Sequence, residues 1–149
     1  MVKPIRRILH PSDFSRASRA AFERAVALAK SARAELTILH VMVPFVPMIG
    51  DGYVSPQVLD DVTRRQRAYT DKEMTKLVAK ARQAGVRATG LILEGMPAER
   101  IVRAAKSRRA DMIVMGTHGR GVVAKFFLGS VAGRVVATAS CPVLTVRGR

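Results

Sequence analysis

The sequence contains little cysteine and no long apolar run. Cys141 is the single cysteine among 149 residues, so no disulfide can form within the chain, and a reducing compartment, the cytoplasm, is expected. No segment approaches the roughly 18 apolar residues that cross a membrane, and the first residues lack the apolar stretch of a signal peptide. These shortages argue against a disulfide-stabilised secreted domain and against a membrane-spanning protein.

Acidic and aromatic residues are scarce as well. Lys and Arg number 26 against 11 Asp and Glu, which gives a formal net charge of +15. Such a charge first suggests a nucleic-acid partner. The basic residues are scattered along the chain, however, and tryptophan, RNA-binding aromatic motifs and zinc-finger spacings are all absent. We therefore expect salt-sensitive, non-specific adsorption to nucleic acid and no specific recognition.

Strand and helix patterns alternate along the chain, which is expected to form a single domain over residues 1–149. Short apolar runs predict five strands, at Ile5–Leu9, Leu36–Val43, Val86–Leu93, Met112–Met115 and Cys141–Val146. Helices are predicted to begin after Ser15, at Pro56, at Pro97 and after Gly129. This alternation is typical of the α/β class, in which a doubly wound parallel sheet carries helices on both faces.

Asp13 lies at the carboxyl end of the first predicted strand, four residues after Leu9. In open parallel sheets, ligands bind beyond the carboxyl ends of the strands. The carboxylate can therefore accept hydrogen bonds from an adenine amino group or from ribose hydroxyls. The alternative is that Asp13 only complements the dipole of the helix that follows.

A glycine-rich segment follows the fourth predicted strand. Gly116 and Gly119 are followed, after nine further residues, by Gly129 and Ser130 at the start of a helix. Unpaired N–H groups and the positive end of the helix dipole attract an anion at such a position. The spacing lacks the Lys-Ser/Thr of a P-loop, and Ala124 stands where a dinucleotide fingerprint has its third glycine. The segment predicts a phosphate-binding loop, although the same glycines also suit a plain strand-to-helix connection.

This glycine spacing resembles the nucleotide-binding signature of the universal stress protein family. The segment Leu39–Val41 and the turn Gly95–Pro97 are also similar to that family. The resemblance implies the strand order 3-2-1-4-5 and a site for ATP with Mg²⁺ where strands 1 and 4 end. The nucleotide-binding residues that it implies are Pro11, Asp13, Val41, Gly116, His118, Gly119, Gly129, Ser130 and Val131.

The same resemblance implies a stress-response switch or reporter with an unidentified protein partner. It also implies a homodimer formed through the last strand, at Val143, Leu144, Thr145 and Val146. The glycine loop contains no carboxylate to hold a metal or orient water, so we assign no catalytic residue and expect slow hydrolysis or none. Two alternatives stay open: a nucleotide-free dimeric interaction module of the same fold, and a basic protein associated with nucleic acid.

Three histidines fall near the predicted carboxyl edge of the sheet. His10, His40 and His118 would meet there if their strands are neighbours. The lone cysteine is far from them in sequence and no helix carries an H-x-x-x-H pair. A metal site is therefore not expected.

Overall fold

A computed structural model describes residues 1–45, 52, 54–118 and 128–148. These residues form a five-stranded sheet of β1 (Arg7–Pro11), β2 (Glu35–Met42), β3 (Arg87–Glu94), β4 (Met112–Gly116) and β5 (Val143–Val146). The helices are α1 (Arg16–Ala32), α2 (Pro56–Gln83), α3 (Pro97–Ser107) and α4 (Ser130–Thr138). The strand order is β3-β2-β1-β4-β5 and every pairing is parallel. The predicted fold class and strand order are confirmed.

The helices cover both faces of the sheet. On one face, Phe22 and Ala25 of α1 and Met74 of α2 pack against strand residues that include Ile38. On the other, a second buried cluster joins α3 and α4 to the sheet and includes Leu9, Leu39, Ile101, Ala132 and Val135. Because both faces are buried, the inner strands β1, β2 and β4 are apolar at successive positions.

The helix ends follow local sequence signals. Ser15 Oγ accepts a hydrogen bond from the Ser18 N–H at the start of α1, as its predicted capping role requires. Ser55 caps α2 in the same way, with Pro56 at the first helical position. Gly85 follows the end of α2 with a φ of 88°, a conformation that glycine adopts without steric cost.

Three predicted strand boundaries are wrong by two residues. β1 begins at Arg7 instead of Ile5, because the Arg6 and Arg7 N–H groups donate to the Asp111 carboxylate at 2.9 and 3.0 Å. It also continues through Pro11, since proline removes only its own N–H and the Ser12 N–H still reaches Leu39 O of β2 at 2.8 Å. At the other end of the chain, β5 starts at Val143, two residues later than predicted.

Because all five strands are parallel, the sheet has a carboxyl edge and an amino edge. The carboxyl edge is where β1, β2 and β4 end, and the amino edge is where Arg7, Glu35 and Arg87 begin three adjacent strands in register. β3 and β5 are the lateral strands. None of the helices in the described part of the chain is both long and apolar enough to cross a membrane.

Candidate functional site

A crevice of about 460 Å³ opens at the carboxyl edge between β1 and β4. Its walls come from the ends of β1, β2 and β4, from the starts of α3 and α4, and from α2. The predicted site residues that line it are Pro11, Asp13, Val41, Gly116, His118, Gly129, Ser130 and Val131. Gly119 lies outside the described residues. Sequence-distant residues thus meet in one crevice, and their role in nucleotide binding stays a prediction.

Asp13 is fixed at the junction between β1 and α1. Its Oδ1 accepts hydrogen bonds from the Ser15 N–H at 2.9 Å and from Ser18 Oγ at 2.7 Å. The Asp13 N–H in turn donates to Ser18 Oγ at 3.1 Å. These bonds orient the half-buried carboxylate before any ligand arrives. Asp13 therefore supports the start of α1 and lines the crevice as well.

An aromatic cluster of Phe14, His40 and Tyr69, which the sequence did not predict, lines the crevice beside Asp13. The rings of Phe14 and His40 stack with their centroids 4.5 Å apart, and Tyr69 meets Phe14 edge-on at 6.1 Å. His40 Nδ1–H donates to Ser12 O at 2.7 Å, which fixes the ring. Phe14 has a φ of 63°, a left-handed conformation that is unusual for a bulky residue.

Positions 116 and 129 favour glycine because neighbouring backbone atoms lie very close to both. A Cβ on Gly129 would lie 2.8 Å from Thr117 O, a distance that real Cβ atoms essentially never show. A Cβ on Gly116 would lie 3.2 Å from backbone atoms of Ala17 in α1. These two glycines allow β4, α1 and α4 to converge at the crevice.

The amino terminus of α4 faces this space. Gly129 is its N-cap and has no side chain with which to cap the first turn. The first hydrogen bond within the helix runs from the Gly133 N–H to Gly129 O at 2.8 Å. The amides of Ser130, Val131 and Ala132 precede it and have no acceptor within the helix, and these three residues line the crevice. This arrangement suits an anion, because the helix dipole adds to the attraction of the N–H groups.

His118 lines the crevice, and one of its ring nitrogens has no hydrogen-bond partner among the described residues. Its Nδ1 lies 2.8 Å from Thr117 Oγ1, whereas its Nε2 is buried and has no hydrogen-bond partner among the described residues. A buried polar atom without a partner costs about 1–3 kcal/mol. A ligand group that bonded to Nε2 would remove that cost.

His10 has a structural environment distinct from that of the crevice. Its side chain is fully buried, and Nδ1–H donates to Val114 O at 2.8 Å. Burial lowers the pKa of His10 to about 4, so the ring is neutral at physiological pH. Among the described residues, no three His, Cys, Asp or Glu side chains lie close enough together to hold a metal ion.

Known proteins are similar to this chain in sequence and in fold. The chain is 35% identical over 144 residues to a universal stress protein of Methanocaldococcus jannaschii, covering 95% of this chain and 82% of that protein. It is 38% identical over 130 residues to one from Thermus aquaticus, covering 84% and 89% of the two chains. Among solved structures, UspA from Lactobacillus plantarum matches with a TM-score of 0.83 and 28% identity over 97% of this chain and 99% of that one.

A family member from Arabidopsis thaliana, solved with AMP bound, shares the fold with a TM-score of 0.70 and 23% identity, over 97% of this chain and 92% of that one. A further family structure is a complex with cAMP, with a TM-score of 0.74 and 22% identity over 99% of this chain and 100% of that one. The sequence model of the universal stress protein family matches residues 4–147. The chain therefore belongs to the universal stress protein family.

Proposed function

We propose that the crevice binds an adenine nucleotide, ATP with Mg²⁺, and that the protein acts as a stress-response switch or reporter. The observation that carries this proposal is the amino terminus of α4, whose first-turn residues Ser130, Val131 and Ala132 line the same crevice as Asp13. An anion-binding helix end beside a fixed carboxylate suits a ligand with phosphates at one end and hydrogen-bond donors at the other.

The crevice has two chemically different parts. Pro11 and Val41 add apolar surface to the crevice that Asp13 lines, which suits an adenine ring whose amino group donates to the carboxylate. The Gly129–Val131 segment and the Ser130 hydroxyl supply donors for phosphate oxygens. Gly116 lies between these parts, where the ribose belongs, and Gly119 is assigned to the phosphates on the resemblance alone.

In this proposal His118 also donates to the phosphates, in addition to the Gly129–Val131 segment and the Ser130 hydroxyl. Its buried Nε2 gains a partner when a phosphate oxygen enters, since Nδ1 is already close to Thr117 Oγ1. The family structures solved with AMP and cAMP support an adenine nucleotide as the class of ligand. Mg²⁺ enters with the phosphates, where it neutralises part of their charge.

We infer that hydrolysis is slow or absent. Of the described residues that line the crevice, Asp13 alone is acidic, and its Oδ1 already accepts two hydrogen bonds. Phosphoryl transfer uses a residue that orients the attacking water and groups that hold the metal. Asp13 belongs to the adenine end here, so this proposal assigns no catalytic residue.

We also propose that the protein works in the cytoplasm as one domain and forms a homodimer through β5. Val143, Leu144, Thr145 and Val146 form a lateral strand whose residues are all half-buried in the single chain. A lateral strand has unpaired backbone N–H and C=O groups along one side. The same strand of a second copy can pair with these groups and form a twofold-symmetric dimer.

The direct test uses protein stripped of ligand and a fluorescent ATP analogue. Unlabelled Mg·ATP should displace the analogue at one site per chain, and Mg·GTP should displace it much more weakly because it lacks the adenine amino group. Failure of the folded protein to bind the analogue or ATP would favour the nucleotide-free interaction module. Turnover near the median enzyme rate of about 10 per second would contradict the role of switch or reporter.

A further inference from the structure

The amino edge of the sheet, opposite the crevice, contains a strongly basic groove. The groove has a volume of about 810 Å³, and Arg7, Arg82, Arg87 and Arg108 line it. Arg7 and Arg87 begin strands on either side of β2, Arg82 lies in the last turn of α2, and Arg108 follows α3. Arginines from both faces of the sheet and from its edge therefore converge on one space.

Helix dipoles explain only part of this charge. Arg82 lies in the last turn of α2 and Arg108 is the C-cap of α3, positions where a cation stabilises the helix end. Arg7 and Arg87 begin strands, so no helix end accounts for them. A second explanation is needed for Arg7 and Arg87.

The acidic residues at the amino edge, Glu35 and Asp111, neutralise little of the charge of the groove arginines. Glu35 pairs with Arg87 at 3.1 Å, and both side chains are more than half exposed, at 54% and 72%. Exposed pairs of this kind contribute about 0–1 kcal/mol, so a stronger anion can displace the carboxylate. Asp111 does not line the groove but lies beside it, where its carboxylate pairs with Lys3 and accepts hydrogen bonds from the Arg6 and Arg7 amides.

The arginines retain hydrogen-bonding capacity. Arg82 Nε donates to Ala88 O at 3.0 Å, and an Arg7 terminal nitrogen donates to Arg109 O at 3.4 Å. A guanidinium has five N–H donors, so one such bond anchors the side chain and leaves other donors available. Guanidinium groups also match the bidentate geometry of phosphate.

We propose that this groove binds the phosphate backbone of a nucleic acid without reading its bases. Arg7 and Arg87 lie two strands apart, about 10 Å between backbones, so the groove reaches more than one phosphate. That spacing favours a phosphate polymer over a single small anion. No aromatic side chain lines the groove among the described residues, so base stacking does not contribute. Binding is therefore independent of sequence.

The groove is independent of the proposed nucleotide crevice. β1 has five residues between the two edges, which corresponds to about 16 Å of strand. Both sites can be occupied at once, and failure of ATP binding would leave the groove proposal intact.

The test measures fluorescence anisotropy of two labelled 20-nucleotide RNAs of unrelated sequence between 50 and 200 mM salt. The variant Arg87→Gln/Arg108→Gln removes two exposed groove charges. The control Arg65→Gln/Arg134→Gln removes two exposed charges that do not line the groove. Circular dichroism and melting temperature verify that each variant folds.

The groove variant should lose roughly tenfold in affinity for both RNAs, and its slope of log K against log salt should become shallower by about 1.4. The control should retain more affinity and the wild-type slope. Equal losses in both variants, or none in the groove variant, would overturn the proposal in favour of adsorption over the whole surface. Groove-dependent binding of phosphatidylserine vesicles or of a polyglutamate peptide, without RNA binding, would overturn it in favour of a membrane or an acidic protein.

Discussion

The Gly129 N–H donates a 2.7 Å hydrogen bond to the carbonyl oxygen of Thr117. This bond joins the residue after β4 to the N-cap of α4, and so fixes the two ends of the segment 118–128 against each other. Thr117 is also tied to β5, because its own N–H donates to Val146 O at 3.0 Å. The amino-terminal end of α4 is thus attached to the sheet, and the position of its first-turn amides depends on a glycine at 129.

Replacing Gly129 by alanine should lower the free energy of unfolding by about 1–3 kcal/mol, because the added Cβ collides with Thr117 O and the backbone must shift. Gly133→Ala is the matched control. A Cβ there meets only a Leu128 methyl at 3.9 Å, so this change should be neutral or stabilise α4 by up to about 1 kcal/mol. Urea unfolding of both variants checks the difference, and equal stabilities would contradict the close-contact argument.

Acid should destabilise the protein through His10. The pKa of His10 is about 4 in the folded protein against 6.5 for an ordinary histidine. Between these values the unfolded chain binds a proton that the folded chain excludes. The stability from neutral His10 is therefore complete above pH 6.5 and falls by about 3 kcal/mol as the pH drops to 4.

His10→Gln removes this titration and keeps a donor for Val114 O. The loss of unfolding free energy between pH 7 and pH 4.5 should be smaller in this variant than in the wild type by about 2 kcal/mol. Denaturant unfolding at the two pH values measures it. Identical pH dependence in the two proteins would show that His10 does not control the acid response.

Asp111 should contribute more to stability than its visible ion pair suggests. Its Oδ2 accepts hydrogen bonds from the Arg6 and Arg7 amides, and the side chain is only 6% exposed. The Lys3 hydrogen bond and these amides lower the pKa of Asp111, so its contribution is present above the usual pKa of 3.8 and is lost as the pH falls through the lowered value. Asp111→Ala should cost about 1–3 kcal/mol.

The control for Asp111 is Lys3→Ala. Lys3 is 74% exposed, so its loss should cost less than about 1 kcal/mol. Thermal unfolding at pH 7 compares the two variants. A larger cost for Lys3→Ala than for Asp111→Ala would mean that the ion pair, and not the pair of backbone amides, stabilises the start of β1.

The proposed dimer predicts different effects at the two lateral strands. Thr145→Lys places a charge on β5 and should convert the dimer to a monomer, whereas Thr89→Lys makes the same change on β3 and should leave the dimer intact. Light scattering coupled to size exclusion at micromolar concentration measures the mass. A monomeric wild type would rule out the β5 interface.

The fold could be predicted because its signals are local. Short apolar runs and the helix-start signals at Ser15, Pro56 and Pro97 located the elements, and the family resemblance supplied the strand order. The start of β1 was predicted wrongly because it depends on hydrogen bonds to Asp111, more than 100 residues away in sequence. No window of sequence around Ile5 contains that hydrogen-bond acceptor.

The site residues that belong to a local sequence motif could be predicted. The residues that reach the site only through tertiary contacts could not. Gly116, Gly129 and Asp13 follow directly from strand ends and helix starts. The stack of Phe14 on His40 depends on the pairing of β1 with β2 and on the left-handed conformation of Phe14. The sequence shows that Phe14 follows Asp13, but it does not show which rings Phe14 contacts.

The most direct test of the account is a calorimetric titration of Mg·ATP into ligand-free wild type, Gly129→Ala and Gly133→Ala, each shown to be folded by circular dichroism. We expect about one ATP per chain in the wild type and in Gly133→Ala, and at least tenfold weaker binding in Gly129→Ala, because displacement of α4 moves its first-turn amides away from the phosphates. Absence of binding to the folded wild type, or equal affinity in all three proteins, would contradict the assignment of the crevice as the nucleotide site.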